Sequence, residues 1–186
     1  EAINVPVGSK TIEISRNEHI KDKRQFEILH SEMFEGEPPS VKDSLNGSDN
    51  WLSFFNKHFM ERECKSKFLK LIEENNQKIG SNMILLSAPL GWGKTFLLKD
   101  IAITYYEKCI PVIWLNPLSN VEIPQENAEP IILGRWDVDR IAHILNYINR
   151  FSENKVVPIL IADECSDRLE ELSYFYNQLC RKNVPF

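Results

Sequence analysis

Ser87-Ala88-Pro89-Leu90-Gly91-Trp92-Gly93-Lys94-Thr95 organises the reading of the whole chain. Before it, the apolar run Met83-Ile84-Leu85-Leu86 predicts a buried strand. After it, Phe96-Leu97-Leu98-Lys99-Asp100-Ile101-Ala102 predicts a helix packed by one face. A strand, a glycine-containing turn and a helix opening on Gly-Lys-Thr form the pattern of a phosphate-binding loop. The turn lets backbone N–H groups point inward around a polyphosphate. The free N–H groups and dipole at the helix start favour negative charge there. Lys94 is a mobile cation able to reach the terminal phosphates. Thr95 offers a hydroxyl to Mg²⁺, an ion that keeps much of its water. The residues expected to enclose the phosphates are Ala88, Pro89, Leu90, Gly91, Trp92, Gly93, Lys94, Thr95 and Phe96.

The usual pattern, known as Walker A, begins with Gly where Ala88 stands. Pro89 fixes its own φ and biases Ala88 toward an extended conformation. Ala is the mildest replacement for Gly where no positive φ is required. A second motif lies downstream in Val156-Val157-Pro158-Ile159-Leu160-Ile161-Ala162-Asp163-Glu164. An apolar strand ending in Asp-Glu is the Walker B pattern. It is expected to be buried on both faces, with its carboxyl end at the crevice where open α/β sheets bind ligands. Asp163 is expected to hold Mg²⁺ through its water shell, and Glu164 to orient and activate an attacking water. The other reading of Glu164 is a helix-start residue in a protein that binds nucleotide without hydrolysing it. Many buried strands end in acids, so the second motif gains its force from the first.

The 186 residues suffice for one domain with a sizeable core. Hydrophobic content of 42% and charged content of 26% place the chain among ordinary globular proteins. A net charge of −5 gives no global attraction to nucleic acid or anionic lipid. No apolar run approaches bilayer-spanning length, and no signal peptide is seen. Cys64, Cys109, Cys165 and Cys180 form no CxxC pair, which leaves zinc and thioredoxin-like readings without support. Reduced thiols and a cytoplasmic location are the expectation. The first residue is Glu1 rather than Met, so an excised or processed piece is expected.

In chain order, residues 1–16 alternate as an extended segment. Residues 17–33, with Ile20, Phe26, Ile28, Leu29 and Met33, predict an amphipathic helix whose Lys21, Lys23 and Arg24 form a solvated face. Pro38-Pro39 breaks it, and Asn46-Gly47 signals a turn. Trp51, Leu52, Phe54, Phe55 and Phe59 lead a helix over 51–78 with a break near Glu63–Ser66. Most of these aromatics are expected in the core, with one or two, Trp51 first among them, as the alternative wall of an adenine pocket. The helix after the loop runs to Lys108, and Pro111–Pro117 predicts a strand, giving a βαβ unit and a parallel sheet. Residues 117–135 read as a surface connection with a short buried segment at Pro130–Gly134. Helices are predicted over Trp136–Phe151 and Asp167–Lys182, and Asn183-Val184-Pro185-Phe186 as the entry to another strand. His143 has no second ligand nearby in sequence and is a surface or core histidine. Residues 1–47 are taken as a lead-in and 48–186 as a partial nucleotide-binding domain.

The motif pair and the order of elements resemble the additional-strand P-loop NTPases, which include the AAA+ ATPases and the STAND signalling NTPases. A finer resemblance, over 34–186, is to bacterial STAND-like NTPases placed behind an effector domain, often in antiviral defence. It rests on Phe34-Glu35-Gly36-Glu37-Pro38-Pro39-Ser40, on Gly47-Ser48-Asp49 and on Pro111-Val112-Ile113-Trp114-Leu115. The resemblance implies an α/β three-layer sandwich with a mostly parallel, five-stranded sheet. The Walker A and Walker B strands would be together at its centre, with the strand entering at Val184 between them. The resemblance implies that the 186 residues stop before the sensor strand, and that the helical lid and winged-helix domain usual in the family would not be expected within them. No Gly-Arg-Glu motif for the adenine side stands out. The implied activity is binding and Mg²⁺-dependent hydrolysis of ATP, with Lys94 and Glu164 catalytic and Thr95 and Asp163 at the metal. The implied role is a switch contacting other domains of a parent chain, protein partners or an oligomer, with no membrane and no indicated nucleic acid. The alternatives are a non-hydrolysing nucleotide-bound interaction scaffold and a AAA+ motor or loader on DNA, to which the acidic charge gives no support.

Overall fold

A computed structural model describes residues 2–15, 25–37, 39–40, 42, 50–56, 62–76, 82–116, 122–123, 131–132, 136–152 and 156–186. Three small sheets and five α-helices are present among them, a mixed α/β chain. Strands β1 (Ala2–Val7) and β2 (Lys10–Ser15) form an antiparallel hairpin with Ile3 opposite Ile14 and Val5 opposite Ile12. The alternation expected for 1–16 is realised, with Ile3, Val5, Val7, Ile12 and Ile14 buried on one face. Gly8 takes a φ of 59° in the turn.

Strand β3 (Phe26–Ile28) pairs antiparallel with β4 (Val112–Leu115). The two-residue strands β5 (Glu122–Ile123) and β6 (Ile131–Ile132) pair with each other, and β7 (Ile159–Ala162) runs parallel to β4. The three-stranded sheet is therefore mixed. Its residues alternate between two cores. Ile113 and Leu115 face one with Phe26, Ile28, Leu160 and Ala162; Val112 and Trp114 face the other with Ile159 and Ile161.

Helices cover both faces. On the Val112 side lie α1 (Trp51–Phe55), α2 (Glu63–Asn76) and α3 (Lys94–Glu107). On the Ile113 side lie the hairpin, α4 (Val138–Phe151) and α5 (Leu169–Arg181). Helix α4 buries Ile141, Ile144, Leu145 and Ile148, the spacing of one helical stripe. Asp137 caps it by accepting the Arg140 N–H at 3.0 Å. Helix α3 ends in a Schellman arrangement: Cys109 takes a φ of 57°, its N–H reaches Tyr106 O at 2.9 Å, and the Ile110 N–H reaches Tyr105 O at 3.0 Å.

Three expectations are corrected. The helix over 17–33 is not formed where the structure describes that range. Phe26–Ile28 is a strand, because Phe26 and Ile28 share one face and bury against the same core as Ile113 and Leu115. A short 3₁₀ turn at Ser31–Phe34 follows. The break expected near Glu63–Ser66 in the helix over 51–78 falls earlier: α1 ends at Phe55, where the Asn56 N–H returns to Leu52 O, and α2 begins at Glu63. Val184 is buried against the Ile113-side core without entering a strand. The basic cluster at 21–24, the turn at 46–47 and most of 117–135 lie outside the described residues. Within 117–135 the structure describes the β5–β6 pairing, and the burial expected at Pro130–Gly134 lies outside what is described. Among the described residues no helix is long and apolar enough to cross a membrane.

A cation is buried in the Val112-side core. Lys99 is 5% exposed and its ammonium stands 4.8 Å from the Trp51 ring, 5.6 Å from Phe54 and 5.7 Å from Trp114. Aromatic faces supply part of what water would otherwise give it. Trp51 donates its indole N–H to Glu27 at 3.2 Å and meets Trp114 edge-on at 5.1 Å. These contacts make Trp51 a core residue.

Tyr105 of α3 is 2% exposed, and among the described residues its hydroxyl has no hydrogen-bond partner. Burial, then the charge of Glu73, pushes its pKa from 10.0 up to about 12. The raised value means stability present below pH 10 and lost as pH climbs toward 12. Tyr105→Phe is expected to stabilise the fold by about 1 kcal/mol at neutral pH, since an unpaired buried hydroxyl is removed. It should also move alkaline unfolding upward. Denaturant melts at pH 8 and above pH 10 check both, and a less stable Phe variant at either pH contradicts the account.

Candidate functional site

The approach to the glycine-containing loop differs from its expectation. Residues 82–89 form no ladder, so the Met83–Leu86 run is not a strand. Leu86 packs on the Val112-side core while Met83 is 43% and Leu85 62% exposed. One face of the run is seated. Among the described residues no strand lies beside it to complete hydrogen bonds and cover the other face. Asn82 ties the run to the end of α2, its amide donating to Asn75 O at 3.0 Å.

From Leu90 the chain turns sharply, with the Trp92 N–H toward Pro89 O at 3.4 Å. Gly91 and Gly93 sit at φ of 79° and 68°, in the left-handed region that glycine adopts without cost. The first helical bond of α3 follows at once, from Leu97 N–H to Gly93 O at 3.1 Å. Gly93 is thus the hinge between loop and helix. Ala88, in the place where Gly is usual, is not left-handed, so its Cβ carries no backbone penalty. The Lys94 ammonium folds back over the loop and donates to Ala88 O at 2.7 Å and Pro89 O at 3.0 Å. Leu90 and Trp92 project from the tip, 98% and 67% exposed. Thr95 is half-buried, and Phe96 leans on Phe54 with ring centres 5.3 Å apart.

The second acidic position closes β7. Asp163 is 7% exposed, and its Oδ1 accepts the Glu164 N–H at 2.9 Å. Glu164 is exposed with a φ of 52°, a conformation uncommon for a residue with a Cβ. The Cys165 thiol donates to Asp163 O at 3.1 Å. Burial first, then the charges of Asp163, Asp167 and Glu164, pushes this thiol up to about 11, so it stays protonated at neutral pH. Burial of β7 is lighter than expected. Ile161 is buried, but Ile159, Leu160 and Ala162 are only half-buried, because among the described residues β4 is its one neighbour.

The direction of α3 relates the two positions. Its last turn hands over to Val112 through Ile110, while Lys99, near its start, stands by Trp114 toward the far end of β4. Helix α3 therefore runs back along the sheet, with its first turn toward the carboxyl ends of β4 and β7. Asp163 follows β7 at that same end. No hydrogen bond or ion pair joins Asp163 or Glu164 to Lys94 or Thr95 among the described residues. Nor, among those residues, do three His, Cys, Asp or Glu side chains gather at one point, and the four cysteines are all free.

Arg62 joins the loop from a distance in sequence. Its Nη1 donates to Trp92 O at 2.6 Å, and its guanidinium lies where a Cβ on Gly93 would have to go. Nothing local in the sequence announces this. Arg62 stands just ahead of α2, thirty positions before Trp92, among many other charges.

Comparison with known proteins finds no matching family model, no matching curated protein and no matching solved structure.

The two loop glycines should differ in their tolerance of a side chain. Gly91→Ala meets open space and bears only the left-handed backbone cost, about 1–2 kcal/mol. Gly93→Ala bears that cost and must also displace the Arg62 guanidinium. Urea melts are expected to rank Gly93→Ala as the less stable; equal stability would contradict the contact.

Proposed function

We propose that the chain is the nucleotide-binding core of a P-loop ATPase switch, of the kind represented by STAND and AAA+ proteins. The observation that carries this reading is Lys94, drawn across the mouth of a glycine-hinged loop onto the carbonyls of Ala88 and Pro89. An ammonium held at that place meets the terminal phosphates of a nucleotide seated on the loop. The amides at the start of α3, with the positive end of its dipole, supply the remaining recognition.

Thr95 and Asp163 are the residues that would hold Mg²⁺, a hydroxyl and a carboxylate suited to an ion that keeps several waters. Such an ion neutralises phosphate charge during phosphoryl transfer. One Asp163 oxygen accepts the Glu164 N–H, which fixes the carboxylate's orientation. Glu164 is the candidate for orienting a water. One observation favours the non-hydrolysing alternative: Glu164 is exposed, and among the described residues no hydrogen bond orients its carboxylate. The wider proposal is a switch whose nucleotide state sets contact with other domains or partners.

Calorimetric titration with ATP and Mg²⁺, beside a turnover assay, tests both readings. Lys94→Ala is expected to weaken binding by about a hundredfold or more, as loss of a charged contact to phosphate does. Glu164→Gln is expected to bind ATP as the wild type does and to lose hydrolysis. A wild type that binds but does not turn over supports the scaffold reading, and one that binds no purine triphosphate overturns both.

A further inference from the structure

We infer that Arg62 is a second phosphate-binding cation of this loop, so that a bound phosphate chain ties α2 to α3. The inference rests on the nucleotide reading above. Its ground is where the guanidinium lies: on the carbonyl of Trp92 and directly against Gly93, beside the first turn of α3. That is the turn whose leading N–H groups have no partner within the helix.

The position of Arg62 is built into the fold. Lys65 of α2 bonds Asp100 of α3 at 2.7 Å, and Glu73 of α2 bonds Lys108, the residue that caps the end of α3, at 3.0 Å. Each partner lies thirty-five positions further along, so the two helices run parallel and in step. Their N-termini therefore point the same way, and the positive ends of both dipoles converge near the loop. The Lys65 side chain is only 13% exposed, which stiffens the pair nearest Arg62. Arg62 is thus brought to the loop by a docked helix.

The chemistry of the group suits the role. A guanidinium has five donors in a planar fork, and one is engaged by Trp92 O. Phosphate oxygens are charged acceptors that match this fork in pairs, where a single carbonyl cannot. Of the acids near it in the described residues, Asp100 is engaged by Lys65 and Glu63 is exposed. Lys94 from inside the loop and Arg62 from outside would then grip the phosphate chain from two helices.

The test is titration of the purified protein with ATP, ADP and AMP, for wild type, Arg62→Ala, Arg62→Gln and Arg62→Lys. Arg62→Gln keeps a donor for Trp92 O without the charge, so it separates a brace on the loop from a contact to phosphate. Both uncharged variants are expected to weaken ATP about tenfold or more, with a smaller loss for ADP and a change within about twofold for AMP. Arg62→Lys should recover part of the ATP loss. Should Arg62→Ala fail to fold, Arg62→Gln decides. Equal losses across the three nucleotides, or wild-type affinity in Arg62→Gln, overturn the inference while leaving the nucleotide reading intact. A wild type that binds none of the three overturns both.

Discussion

Strand β4 is a wall shared by two cores, and the molecule depends on its alternation. Val112 and Trp114 serve the side where α1, α2 and α3 pack; Ile113 and Leu115 serve the side of the hairpin, α4 and α5. All four residues are buried. A slip of one residue in its pairing with β3 or β7 would exchange the two sets and unseat both helical layers at once. The parallel register of β4 with β7 also fixes where the chain emerges after Ala162, and so where Asp163 stands.

The loop region answers to a different constraint, the handedness of its backbone. Gly93 must be left-handed for the loop to feed directly into α3, and the place of its missing side chain is taken by a guanidinium. Two cations, Lys94 and Arg62, lie on loop carbonyls. Positive charge held over partial negative charge is an arrangement that a stronger anion can take over. The buried ammonium of Lys99, one turn further along α3, is held instead by three aromatic rings and belongs to the core.

The long elements were the legible ones. Helices α4 and α5 repeat their apolar residues over three turns or more, and a stripe of that length has few alternative explanations. Helix α3 was legible as a helix, but it does not pack by one face as expected, since Leu97, Lys99, Ile101, Ala102, Ile103 and Tyr105 are all buried. Strand β4 was legible as a compact apolar run bounded by prolines, and β7 as one that follows Pro158 and ends in Asp163-Glu164. The errors share a cause, since pairing partners are not written locally. Phe26–Ile28 is too short to show a period, and its strand character comes from β4, far along the chain. Met83–Leu86 has the composition of a strand, but composition cannot supply neighbours. In the site, the turn chemistry of Gly91 and Gly93 and the fold-back of Lys94 follow from a local pattern. Arg62 does not, because its place is set by ion pairs between two helices rather than by any residue adjacent to it.

The distribution of indoles has an optical consequence. Trp51, Trp114 and Trp136 are in the dry interior, at 8%, 5% and 3% exposure, while Trp92 stands in water at the loop tip. Emission from a solvated indole lies to the red of emission from buried ones. The intrinsic fluorescence of the protein therefore divides into two colours, one reporting the integrity of the cores and the other events at the loop. The molecule carries its own gauge of the loop's surroundings, and no dye has to be attached to read it.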